Sequence, residues 1–64
     1  MVPFQITLEA ARVNAGMTQE AAARALHVTK QTIVNWEKGR TAPDVRKAQL
    51  ISEIYGIPLE YIKF

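Results

Sequence analysis

The chain has 64 residues, 48% of them hydrophobic and none of them cysteine, and eight Lys/Arg against six Asp/Glu leave it at +2. One compact domain is the ceiling at this length, because a chain of about 60 residues buries only about 60% of the surface that it exposes when unfolded. Disulfide staples and thiolate metal sites are excluded, and no apolar run approaches the roughly 18 residues of a membrane span.

Nine alanines against three glycines and three prolines favour helices over a turn-rich β domain. Residues 2–6, Val-Pro-Phe-Gln-Ile, read as extended. A first helical pattern from about Thr7 to Ala15 places Leu8, Ala11, Arg12 and Ala15 on one face, and Gly16 stops it. Thr18 then offers an N-cap hydroxyl to a second helix, Gln19 to Leu26. Its inward face of Ala22, Ala23 and Leu26 is small enough for a neighbouring helix to come close. After the short break at His27-Val28, Thr29 caps a third helix that runs to about Lys38 and ends at Gly39. Ile33 and Trp36 share one face of that helix, and Gln31, Asn35 and Lys38 lie opposite. Arg40-Thr41-Ala42-Pro43 reads as a loop, and Asp44 caps a fourth helix reaching Tyr55, with Val45, Ala48, Ile51 and Tyr55 inward. Gly56 ends it, and Pro58 introduces a short fifth helix, Leu59 to Ile62. With no repeat or linker, residues 1–64 are expected to form one all-α, five-helix domain.

The charge is unevenly spread. Residues 24–47 hold Arg24, Lys30, Lys38, Arg40, Arg46 and Lys47 against Glu37 and Asp44, a net +4. The flanking segments, residues 1–23 and 48–64, are each at −1. A basic middle between mildly acidic ends points to a polyanion-facing surface, the alternative being an ordinary solvated face.

Two short helices joined by a tight turn, the second with a polar front, form a helix-turn-helix pattern over about residues 18–38. The residue types on that front suit a DNA groove. Gln and Asn bond bidentately to adenine, Lys donates to guanine O6 and N7, and Thr meets a thymine methyl or a phosphate. Lys30, Gln31, Thr32 and Asn35 are all of these kinds, and no carboxylate among them would repel a phosphate.

The stretch from Met17 to Arg40, MTQEAAARALHVTKQTIVNWEKGR, resembles the Cro/lambda-repressor-type helix-turn-helix family. The shared features are a T-Q start, Ala in the middle of the first motif helix, a short turn and the ending I-x-x-W-E-x-G-R. The likeness continues through Pro43 to Ile-Tyr-Gly-Ile-Pro-Leu and covers about residues 7–62. It implies a lambda-repressor-like fold and a sequence-specific DNA-binding regulator of phage or bacterial type, in all expectation a repressor. Lys30, Gln31 and Asn35 match base-facing positions. Gln19, Thr29, Thr32, Lys38, Arg40 and Thr41 match backbone-contacting ones, which set register while base contacts specify. Arg12 matches a position that pairs with the one held here by Glu37. Two departures stand out: His27 holds the turn position usually given to Gly, and Ala22 replaces a larger apolar residue.

Other residues carry plainer readings. His27 is a turn residue rather than a general base or ligand, since the chain has one histidine and no cysteine. No catalytic residue, metal or cofactor is expected. Trp36 packs in the core, and Arg46 and Lys47 either extend the phosphate-facing edge or are simply solvated. Val34, on the outer flank of the third helix, is an isolated surface valine or meets a thymine methyl. Leu50, Ile54 and Ile57 follow an i, i+4, i+7 spacing. With Leu59, Ile62, Phe64 and Phe4 they form either a patch covered by the tail or a homodimer interface.

The expected protein is thus a cytoplasmic dimer, with no leader and no membrane partner, that binds double-stranded DNA at half-sites about one helical turn apart. With no second domain expected, control would come through occupancy, concentration or a protein partner. The alternative is an anti-repressor or antitoxin-like module that binds another regulator through its apolar C-terminal patch.

Overall fold

In the computed structural model, which describes residues 4–64, four helices begin with the same device. Thr7, Thr18, Thr29 and Asp44 are extended, and each side-chain oxygen accepts from the backbone N–H three residues on, at 3.1, 3.0, 3.2 and 2.8 Å. One of the donors left unpaired at each helix start is thereby satisfied. The helices that follow are α1 (Leu8–Asn14), α2 (Gln19–Leu26), α3 (Lys30–Glu37) and α4 (Val45–Tyr55).

Residues from all four helices meet in a single core. Leu8 and Ala11 of α1, Ala22 and Leu26 of α2, Ile33 of α3, and Ile51 and Tyr55 of α4 are all buried. Ala22 is fully buried, so the small side chain brings α2 close to its neighbours rather than leaving the core thin. Lys47 of α4 reaches across and donates to the Leu26 carbonyl at 2.6 Å. It thereby satisfies an acceptor at the C-terminus of α2, where a cation is also favoured by the helix dipole.

The expected fifth helix is not present. Pro58 sets the backbone at φ −52°, ψ 141°, a single 3₁₀ turn spans Leu59–Tyr61, and the chain then extends as a strand. That strand, β2 (Ile62–Lys63), pairs in parallel with β1 (Ile6–Thr7), Ile6 opposite Ile62 and Thr7 opposite Lys63. Three residues are too few to hold an α-helix against a partner that completes a ladder. Ile62 is 2% exposed and closes the core from this side, and Phe4 stacks on Tyr61 with ring centroids 5.6 Å apart. Of the expected extended segment, Val2 and Pro3 lie outside the described residues. The inward positions expected of Val45 and Ala48 are also corrected: Val45 is 72% exposed, and both line an outward groove instead of the core.

A buried ion pair ties α1 to α3. Arg12 Nε donates to Glu37 Oε2 at 2.7 Å and Nη2 to Oε1 at 3.4 Å, with both side chains under 10% exposed. Arg12 Nη1 also donates to the Met17 carbonyl at 2.7 Å, which anchors the loop between α1 and α2. The Glu37 carboxylate raises the guanidinium's already high pKa, against the opposing effect of burial. Tyr55 beside them has its phenol pushed up to about 12, by burial first and by the Glu37 charge second.

Two stability experiments test this packing. Ile62→Ala is expected to cost about 2–5 kcal/mol in urea unfolding, because the cavity would open in the layer that joins β2 to the helices. Arg12→Met or Glu37→Leu alone is expected to cost about 3–5 kcal/mol by leaving a charge buried without its partner. The double substitution should cost much less than the sum, read as coupling in a double-mutant cycle.

Candidate nucleic-acid interface

The front of α3 is presented by the way α2 and α3 are joined. The chain leaves α2 at His27 with φ 58°, ψ 43°, a left-handed conformation that histidine tolerates better than bulkier residues do. Val28 N then donates to the Ala23 carbonyl at 2.9 Å and His27 N to the Arg24 carbonyl at 3.3 Å, a double bond pattern that closes the helix end. Val28 turns onto the core, and Thr29 is left as the cap of α3. α2 packs more extensively on α3 than any other two helices pack together. Ile33 is buried and Trp36 half-buried against the core, so the opposite side of α3 is left facing solvent.

Gln31 is exposed on that side and Asn35 partly so. Gln31 Nε2 donates to Asn35 Oδ1 at 3.0 Å, and Arg40 Nη1 lies 3.5 Å from the same oxygen. The Thr29 and Thr32 hydroxyls share a hydrogen bond at 3.0 Å beside the helix start. Lys38, Arg40 and Thr41 are exposed just past the helix end. These residues form one continuous strip along α3 and its following loop.

Two of the expected contacts are held elsewhere by partners. Lys30 Nζ sits 3.0 Å from Glu20 Oε2 of α2, an exposed pair that lowers the Glu20 carboxyl's pKa, chiefly through the hydrogen bond from Lys30. Gln19 Nε2 donates to Glu37 Oε1 at 3.0 Å and so joins the buried pair, fastening the start of α2 to the end of α3. The sequence carries no signal for the Glu20 pairing, because the two residues stand on different helices and no local spacing marks their approach. Lys47, expected at the phosphate-facing edge or in solvent, instead donates to the Leu26 carbonyl.

The expected apolar patch is redistributed. Leu50, Ile54 and Ile57 are partly buried and pack against the core, and Ile62 lies within it. What faces outward is a shallow groove lined by Val45, Ala48, Leu59 and Phe64, with Glu60 at its edge. Phe64 is 49% and Leu59 37% exposed. Among the described residues no cluster of His, Cys, Asp or Glu is arranged to hold a metal, and no helix is long and apolar enough to cross a membrane.

Residues 8–62 match the helix-turn-helix family. An uncharacterized HTH-type transcriptional regulator of Methanocaldococcus jannaschii is 39% identical over 46 residues, covering 72% of this chain and 70% of its own. Another uncharacterized HTH-type transcriptional regulator, from Archaeoglobus fulgidus, is 39% identical over 49 residues, 77% of this chain and 70% of its own. No solved structure matches the chain. With α2, the His27 turn and α3 lying within the matched span, the chain belongs to the XRE-type helix-turn-helix family of DNA-binding regulators.

Proposed function

We propose that the protein is a sequence-specific transcriptional repressor that lays α3 in the major groove of a pseudo-palindromic operator as a homodimer. Lys30, Gln31 and Asn35 face base edges. Gln19, Thr29, Thr32, Lys38, Arg40 and Thr41 face the sugar-phosphate backbone. The observation that carries this reading is the front of α3, where amides, hydroxyls and cations stand without an unpaired carboxylate. Lys30 must leave Glu20 to reach a base, at little cost, since an exposed pair of this kind is worth about 0–1 kcal/mol. Gln19 stays with Glu37 or exchanges it for a phosphate oxygen.

The groove of Val45, Ala48, Leu59 and Phe64 favours self-association through the end of the domain that carries α4 and β2. In this reading two copies joined there address adjacent major grooves on one face of the duplex, one helical turn apart. The same groove also supports a second reading, in which it receives another regulator and the protein acts as an anti-repressor or antitoxin-like module.

Titration of a selected duplex at several salt concentrations separates these. Log affinity should fall linearly with log salt, by about 0.9 for each phosphate neutralised; a flat response would remove DNA as the ligand. Gln31→Ala should lose about 1–3 kcal/mol on the selected site and relax preference at one base pair, whereas equal loss on every duplex would make Gln31 a backbone contact. Sedimentation at micromolar concentration, alone and with operator, should show a dimer that Phe64→Asp abolishes. A monomer under both conditions would overturn the dimer.

A further inference from the structure

The end of α3 is built so that Arg40 comes back over the recognition front. Gly39 adopts φ +75°, its N–H donates to the Trp36 carbonyl at 3.2 Å, and Arg40 N donates to the Asn35 carbonyl at 2.9 Å. This helix-ending pattern places the backbone of residue 40 directly against Asn35, with the Arg40 side chain beside the Asn35 amide. The contact there has a chemical direction. A guanidinium has donors and no acceptor, so the Asn35 atom facing it must be the carbonyl oxygen Oδ1. That same oxygen accepts from Gln31 Nε2, so Gln31 must turn its NH₂ inward and its Oε1 outward.

We infer that Arg40 is a positioning residue that sets which base Gln31 reads, through the chain Arg40 to Asn35 to Gln31. In the enforced orientation Gln31 offers the groove one acceptor and one remaining amide hydrogen. Adenine presents the complement, an N6 donor beside the N7 acceptor. Without Arg40, the Asn35 amide is free to rotate by half a turn and offer Nδ2 to Gln31. Gln31 would then turn Oε1 inward and present two amide hydrogens, the complement of guanine O6 and N7. A residue placed past the helix end, which reads as a backbone contact, thus decides between adenine and guanine at a base pair that it does not touch. Its other guanidinium hydrogens remain available to a phosphate.

The inference rests on the DNA-binding reading, and two measurements separate their failures. In the free protein, Arg40→Ala should shift the side-chain NH₂ resonances of both Asn35 and Gln31, while Arg40→Lys, which keeps a donor-only head group, should shift them less. If the Gln31 resonances do not move in Arg40→Ala, the relay is absent whether or not DNA is bound. On duplexes that differ only at the base pair opposite Gln31, the native protein should prefer adenine over guanine by about 5- to 150-fold. Arg40→Ala should bring that ratio to within about threefold, and Arg40→Lys should retain most of it. Equal weakening of both duplexes by Arg40→Ala, with the ratio unchanged, would make Arg40 a plain phosphate contact and overturn the inference. A native protein with no salt-dependent duplex binding would overturn the DNA-binding reading, and this inference with it.

Discussion

The geometry of the molecule turns on the buried contact between Arg12 and Glu37. A charge taken out of water is costly, and only close pairing with its remaining hydrogen bonds satisfied makes it tolerable. Here the arrangement meets that demand by drawing in parts from four places. Arg12 comes from α1, the Met17 carbonyl from the loop after it, Gln19 from the first turn of α2, and Glu37 from the last turn of α3. A shift in any of these elements would leave a buried charge or amide without its partner. The pair therefore selects one arrangement of the helices more than it adds to stability, since a well-packed apolar substitute is often equally stable.

The polar front of α3 inherits that precision. Its inner side is held by Ile33 in the core and by Glu37 in the ion pair, so the rotation of the helix about its own axis is set from behind. Small side chains on α2 let the two motif helices approach, and the left-handed His27 turns the chain tightly enough to join them. The outcome is a strip of side chains on a short helix whose position does not depend on the strip itself. Gln31 and Asn35 are then free to be chosen for recognition, because α3 is held from behind, whereas Thr29 on the same strip also caps the helix.

Much of this was legible in the residues. Thr18, Thr29 and Asp44 mark helix starts because a hydroxyl or carboxylate there has one obvious local use, and all three serve as caps. The bounds of α2 and its inward face follow from a period that local spacing defines well. The Arg12–Glu37 pair was expected from family likeness alone, since nothing in the spacing of 25 residues points to it. The fifth helix failed because its competitor, the β1 strand, lies at the far end of the sequence. The candidate front was readable by residue type, but the partners of Lys30 and Gln19 were not, as both pairings cross between helices.

Composition and charge established a short chain without staples whose basic residues gather in the middle third, and that block coincides with the helix-turn-helix and its following loop. Sequence by itself thus determined the four helices, the caps of three of them and the chemical character of the α3 front, because each depends on neighbours within a few positions. Tertiary structure decided what that front can offer. It turned Asn35 Oδ1 toward both Gln31 and Arg40, drew Lys30 onto Glu20, and left Val45, Leu59 and Phe64 facing outward while Leu50 and Ile54 turned to the core. The physical reason is that a hydrogen-bonding side chain has a type before folding, but acquires a direction only when its partners are brought within reach.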